Sequence, residues 1–313
     1  MTTAYYSHPA CRAHDMGAGH PECPQRLDAI ADHLRATGLD IALDWREAPP
    51  ATLEALELAH SAHYVLEMQD LLQRLRDQGE RRALDPDTYA CPATWDAALR
   101  AAGAAVAATD AVIDGQASNA FCAVRPPGHH ATRDAAMGFC FFNNVAVAAR
   151  HALDVRGLKR VAIVDFDVHH GNGTEDIVAG DERVLMLSFF QHPLYPGSGA
   201  VPLGTNMVNV PVPPYTRGAE VRELIEAMWM QRLEEFKPQM VFFSAGFDAH
   251  RDDDLGQLGL VEADYAWITQ RIKDVAERHA GGRIVSCLEG GYDLGALARS
   301  VAAHLRVLAD LTT

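Results

Sequence analysis

The fold is most tightly constrained by residues 161–173, where Val161, Ala162, Ile163 and Val164 lead into Asp165, Phe166, Asp167, Val168, His169, His170, Gly171, Asn172 and Gly173. The apolar run has the pattern of a strand buried on both faces of a parallel sheet, and its far end turns abruptly polar. Side chains alternate along an extended chain. Asp165, Asp167 and His169 are therefore expected on one side, with Phe166 and Val168 on the other. A strand end of this kind could simply run out into solvent. Two neighbouring buried carboxylates, however, must be protonated or balanced by a cation, and a bound metal is the simplest account of the set.

Composition narrows the rest. With 313 residues, 48% of them hydrophobic, the chain can bury a large core as a single α/β domain spanning residues 1–313. Asp and Glu number 42 against 27 Lys and Arg, a net charge of −15. No basic run accompanies it, which argues against direct nucleic-acid binding, whereas cationic substrates such as lysine-rich peptides or polyamines are attracted. The cysteines at 11, 23, 91, 122, 140 and 287 show neither a Cys-x-x-Cys pair nor disulfide-framework spacing, the usage of free thiols in a reducing compartment. No stretch reads as an export signal or a membrane span, so a cytoplasmic protein is expected.

From the N-terminus, a short strand is expected at 3–6, then a loop ending Gly19-His20-Pro21-Glu22, and a helix opened by Pro24 that runs to Gly38. Arg26, in its first turn, opposes the helix dipole unless it has a task or an acidic partner. Further helices are expected from His60 to Gly79, Pro92 to Gly115, Val145 to Val155, Ala219 to Phe236, Glu262 to His279 and Leu294 to Leu311. Asp85-Pro86-Asp87 reads as a turn, and the acidic run Asp252-Asp253-Asp254 as a solvated loop. The aromatic cluster Phe139-Cys140-Phe141-Phe142 fits either core or the wall of a narrow channel. Apolar strands near 121–124, 161–165, 184–188, 240–244 and 283–288 alternate with helices, which predicts a mostly parallel central sheet with helices on both faces.

His129, His130, Asp165, Asp167, His169, Ser188, Asp248 and Tyr292 all follow the carboxyl ends of apolar runs. In an open parallel sheet those ends line one crevice, where ligands bind. The Pro126-Pro127-Gly128 turn allows both adjacent histidines to reach it.

These segments resemble the histone deacetylase family, in particular its zinc-dependent, class II-like bacterial members with the arginase/deacetylase fold. The likeness covers nearly the whole chain through Gly19 to Glu22, Arg125 to His130, Gly138-Phe139-Cys140, Asp165 to Gly173, Gly246-Phe247-Asp248 and Glu289-Gly290-Gly291-Tyr292. It implies one Zn2+ held by Asp167, His169 and Asp248. His130 is then the general base and later acid, His129 its electrostatic partner, and Tyr292 the donor to the oxyanion. Asp165 supports His129 and Asn172 supports His130, while Asp165, Asp167, His169 and Ser188 are implied to hold a monovalent cation, K+. Gly138, Phe139 and Tyr195 fall at positions that wall an acyl-lysine tunnel, and Asp87 at the rim residue that anchors substrate amides. Leu255 stands where polyamine-selective relatives tend to carry glutamate. Arg26 corresponds to an internal arginine near the acetate exit.

The implied activity is removal of acetyl or related acyl groups from lysine side chains. Three alternatives stand beside it. Acetylpolyamines or other small cationic amides suit the acidic surface. A di-manganese arginase-like hydrolase needs bridging carboxylates that Asp167 to Gly171 do not supply. A non-catalytic acyl-lysine binding module could dispense with His130 and Tyr292.

Overall fold

A computed structural model describes residues 2–311. In chain order the strands are β1 (Thr3–Ser7), β2 (Leu43–Glu47), β3 (Arg82–Ala83), β4 (Tyr89–Ala90), β5 (Asn119–Cys122), β6 (Val161–Asp165), β7 (Val184–Gln191), β8 (Met207–Val212), β9 (Val241–Ala245) and β10 (Ile284–Leu288). All except β3 and β4 join one eight-stranded sheet in the order β2-β1-β5-β10-β9-β6-β7-β8, and every pairing in it is parallel. The predicted single α/β domain is therefore what forms. Strands β3 and β4 pair antiparallel around the predicted Asp85-Pro86-Asp87 turn.

Every residue of β5, β6, β7, β9 and β10 is buried, because helices cover both faces and a strand between them must be apolar throughout. These five strands are also neighbours in the sheet. The loops that follow them open along one edge, which brings together residues up to about 160 positions apart. The alanine-rich helix Thr94–Ile113 buries Ala97, Ala98, Ala101, Ala102, Ala104, Ala105 and Ala108. Short side chains let it approach its neighbours closely.

Strands β2 and β8 are absent from the sequence expectations, and both are edge strands. Alternate residues of β2, Trp45 and Glu47, are open to solvent, and the charged Asp44 and Arg46 beside them are only half-buried. Strand β8 contains Pro211, which an edge tolerates because one side of the strand needs no ladder partner. The helix predicted over 219–236 is divided into Gly218–Met228 and Met230–Phe236. At the break, the Trp229 indole is wholly buried and stacks on Phe189 at 6.0 Å between centroids. The helix predicted over 145–155 forms as Asn144–Arg150 and then widens into a π-helical turn, His151–Val155. All six cysteines are free. Among the described residues no helix is long and apolar enough to cross a membrane.

Candidate active site

Strand β6 ends at Asp165, and the chain then bends through 166–170. Phe166 and Val168 stay in the core, fully buried, so the expected alternation persists beyond the strand. On the other side, one donor atom each from Asp167, His169 and Asp248 lies within 4.8 Å of the others. His169 Nδ1 is 3.1 Å from both Asp167 Oδ1 and Asp248 Oδ2. Backbone amides orient the carboxylates: His169 N donates to Asp167 Oδ1 at 2.8 Å, Gly290 N to Asp167 Oδ2 at 2.9 Å, and Val168 N to Asp248 Oδ1 at 2.9 Å. Gly290 is required by this crowding, since a Cβ there would lie 2.1 Å from Asp248 Oδ2.

Burial, then the charge of Asp167, push the Asp248 carboxyl up to about 7. The site thus concentrates more negative charge than its own imidazole balances. Two carboxylates and one imidazole, buried and convergent, are a donor set that fits a divalent cation.

His129 and His130 both reach this edge, their ring centroids 4.0 Å apart. His129 Nδ1 is 3.0 Å from Asp165 Oδ2, and His130 Nδ1 is 2.8 Å from Asn172 Oδ1. Both partners are oxygen acceptors, so each imidazole donates from Nδ1. Their environments separate them. Burial alone would lower His129, but Asp167 and then Asp165 outweigh it and raise the ring to about 10. His130 is driven well below the ordinary histidine range by burial and by the neighbouring His129 and His169 rings. The ring is therefore neutral, and with Nδ1 donating to Asn172 its lone pair lies at Nε2.

A cleft of about 240 Å³ is lined by Asp87, His130, Gly138, Phe139, His169, Leu194, Tyr195, Leu255 and Tyr292. It gathers every residue that the resemblance assigned to substrate contact. Gly138 has φ 55°, and a Cβ there would sit 2.5 Å from the His130 ring. Phe139, also at positive φ (68°), walls the cleft, whereas Phe141 and Phe142 are buried in the core. The aromatic cluster therefore serves both alternatives, residue by residue. Asp165 lies opposite Ser188 in the β6–β7 register, and Ser188 Oγ is buried without a hydrogen-bond partner among the described residues.

The partnerships of Glu22, Glu289 and Asp253 were not read from sequence. Arg26, expected to be internal or to have an acidic partner, is fully buried and pairs with Glu22 at 3.1 Å. Glu22 also accepts from Arg125 Nη2 at 2.6 Å and pairs with its Nε. Glu289 Oε2 accepts Gly128 N at 2.7 Å and His129 N at 3.1 Å, fixing the loop that carries the histidines. The expected solvated loop at 252–254 is corrected at its middle residue. Asp252 and Asp254 are exposed, but Asp253 turns inward and is only 5% exposed.

A domain model described as the histone deacetylase domain matches residues 20–308. The chain belongs to the histone deacetylase family. It is thereby a hydrolase acting on amides. This deacetylase is 40% identical over 282 residues to the histone deacetylase-like amidohydrolase of Pseudomonas aeruginosa, covering 88% of this chain and 73% of that protein. It is 39% identical over 302 residues to the polyamine deacetylase HDAC10 of Mus musculus, covering 92% of this chain and 44% of that one. The crystal structure of the HDA15 HD domain superposes with a TM-score of 0.92 at 34% identity, covering 99% of the deacetylase and 89% of that chain.

Proposed function

We propose that the protein is a zinc-dependent deacylase of acyl-lysine side chains, with residues 1–313 forming one catalytic domain. The observation that carries this reading is one cleft in which His130 and Tyr292 meet His169 of the Asp167, His169, Asp248 cluster. Those three residues would hold the zinc. Bound there, zinc supplies Lewis-acid polarisation of the scissile carbonyl and brings the pKa of water toward neutrality. Asp165, Asp167, His169 and Ser188 would hold K+, a role supported by the unpartnered Ser188 Oγ.

The chain's own groups divide the remaining work. His130, neutral and tied through Nδ1 to Asn172, accepts a proton from water at Nε2 and returns it to the leaving amine. His129, held cationic by Asp165 and Asp167, keeps that proton from straying onto its own ring. Tyr292, whose hydroxyl is kept protonated by burial and by Asp248, donates to the developing oxyanion. Phe139 and Tyr195 confine the methylene chain of the lysine, and Gly138 leaves room for the His130 ring beside it. The six free thiols are in keeping with a cytoplasmic location.

Tyr292→Phe is the direct test. The variant is expected to fold and keep its zinc while turnover of an acetyl-lysine peptide drops on the order of 10²–10³-fold, the usual loss of one oxyanion donor. Near-normal turnover would refute the assignment.

The rim carries its own pH signature. Burial, then hydrogen bonding to Asp85 and its charge, raise Asp87 to about 6. A carboxyl with a raised pKa gains its proton as pH falls through that value, and the protonated form is the poorer acceptor for substrate backbone N–H groups. KM for a peptide is therefore expected to climb roughly tenfold below pH 6, the size of one charged hydrogen bond. The Asp87→Asn protein should lack that rise, and parallel KM profiles of the two proteins between pH 5 and 8 would remove Asp87 from the rim role.

A second reading, hydrolysis of acetylpolyamines, is favoured by the net charge of −15 and by the mouse relative. Apolar Leu194 and Leu255 in the cleft lining favour the lysine substrate instead. Comparing kcat/KM for acetyl-lysine peptides, longer acyl-lysines and acetylpolyamines decides between them, and a strong preference for polyamines reverses the ranking.

A further inference from the structure

Residues 289–293 carry Tyr292 to the cleft, and two side chains of opposite charge grip their backbone. Arg26 takes the carbonyls: its Nε donates to Gly291 O at 2.6 Å and its Nη2 to Glu289 O at 2.5 Å. The same guanidinium lies 5.0 Å from the centroid of the Tyr292 ring. Asp253 takes the amides. Its Oδ2 accepts Tyr292 N at 2.5 Å and Asp293 N at 3.0 Å, while Oδ1 accepts Leu255 N at 3.1 Å.

Three backbone donors on one carboxylate account for its burial, because a buried anion is tolerated only when its oxygens are hydrogen-bonded. The arrangement also links two parts of the cleft. Leu255 and Tyr292 both line it, they are separated by 37 positions in the chain, and one side chain fixes the backbone of each.

We propose that Asp253 is a positioning residue for the deacylation reaction, setting the Tyr292 hydroxyl and the Leu255 wall at one fixed separation. The inference rests on the reading of Tyr292 as the oxyanion donor. Asp253 itself contacts no substrate. Its effect passes through the Tyr292 amide, where a small backbone rotation is magnified along the full length of the phenol. Catalytic donors must be held within roughly 0.5 Å, and a misplacement of about 1 Å can remove on the order of 100-fold in rate.

Asparagine is the informative replacement, since it keeps the size of the side chain but only one oxygen. Whichever way the amide turns, its NH2 group faces backbone N–H: that of Leu255, or those of Tyr292 and Asp293. Asp253→Asn is expected to lower kcat roughly 10–100-fold with little change in KM.

A double-mutant cycle separates this from a purely structural role. The wild-type, D253N, Y292F and D253N/Y292F proteins are compared for kcat on an acetyl-lysine peptide, for thermal melting, and for amide hydrogen exchange over residues 289–293. In the Y292F background the D253N loss should shrink to about twofold, the scatter of independent pairs. Exchange at Tyr292 and Asp293 should accelerate in D253N. Equal losses in both backgrounds, or unchanged exchange, overturn the proposal while leaving the role of Tyr292 standing. Near-normal turnover by Y292F overturns that role and this inference with it. Where D253N does not fold, Asp253→Ser carries the same cycle, because its hydroxyl keeps one acceptor without forcing a donor against the amides.

Discussion

Asp248→Asn is expected to leave a folded protein that no longer binds zinc stoichiometrically and whose deacylase turnover falls by more than the roughly 10²–10³-fold loss set by one oxyanion donor. The two oxygens of Asp248 face different tasks. Oδ1 accepts the Val168 amide, a backbone contact that asparagine retains through its carbonyl oxygen. Oδ2 faces His169 Nδ1, and there asparagine presents an NH2 group, which cannot coordinate a metal. The change therefore removes one of three ligands with little disturbance of the chain around it. In the metal-free protein it also relieves a crowded pair of carboxylates, since Asp167 is among the groups that raise Asp248. Metal content after dialysis against buffered zinc and the melting temperature with and without zinc provide the check. Wild type should gain stability with zinc, because a ligand that binds only the native state stabilises it. The variant should gain little. Stoichiometric zinc in Asp248→Asn, or turnover near that of wild type, would show that the cluster is not the metal site.

What could be read from sequence follows from where burial is uniform. Strands β6, β7, β9 and β10 lie inside the sheet and are covered on both faces, so each is an unbroken apolar run that periodicity detects. Edge strands β2 and β8 mix exposed and buried positions, with Arg46 and Pro211 among them, and their pairing is visible only once β1 and β7 are in place. The polar residues of the crevice, Asp167, His169 and Asp248 among them, were legible because each follows an apolar strand end, but their choice as metal ligands came from the family resemblance. Asp253 was not, since three successive acids read as solvated until the amides of Tyr292, Asp293 and Leu255 single out the middle one. The division of Phe139 from Phe141 and Phe142 is likewise set by three-dimensional position. Phe139 adopts a positive φ that turns it to the cleft, a separation that the residues alone left open and only the family resemblance implied. The break at Trp229 is of the same kind, a local bend governed by where a large indole finds space.

Glu22 is the clearest case of a residue whose importance lies in partners remote in sequence, and Glu22→Gln is expected to destabilise the protein by about 3–5 kcal/mol. Its carboxylate, wholly buried, faces the equally buried Arg26 and Arg125, the latter 103 positions away. Arg125 also holds the carbonyls of Cys11 and His14 at 2.9 Å each, so it cannot swing to solvent when its counter-charge is lost. A neutral amide would leave two buried guanidinium groups sharing no full negative charge, the circumstance in which a buried ion pair becomes expensive to break. For a domain of this size the loss corresponds to a fall in melting temperature of roughly 5–8 °C. The pH dependence carries an independent sign. Burial pushes the Glu22 carboxyl up, but Arg125 and then Arg26 prevail and hold it down at about 2, below its ordinary value of 4.5. A depressed carboxyl contributes stability that is fully present above its unfolded pKa and is lost as pH falls toward the folded value. Wild type should therefore lose this part of its stability between about pH 4.5 and 2, and the glutamine protein should lack that component of the acid transition. The exposed pair Arg35–Asp32 supplies the contrast, because Asp32→Asn should change stability by no more than about 0.5 kcal/mol. Denaturant unfolding of the three proteins at pH 7, repeated at pH 4 and 3, measures both effects. A Glu22→Gln cost below about 1 kcal/mol would mean that the arginines find compensation elsewhere in the fold.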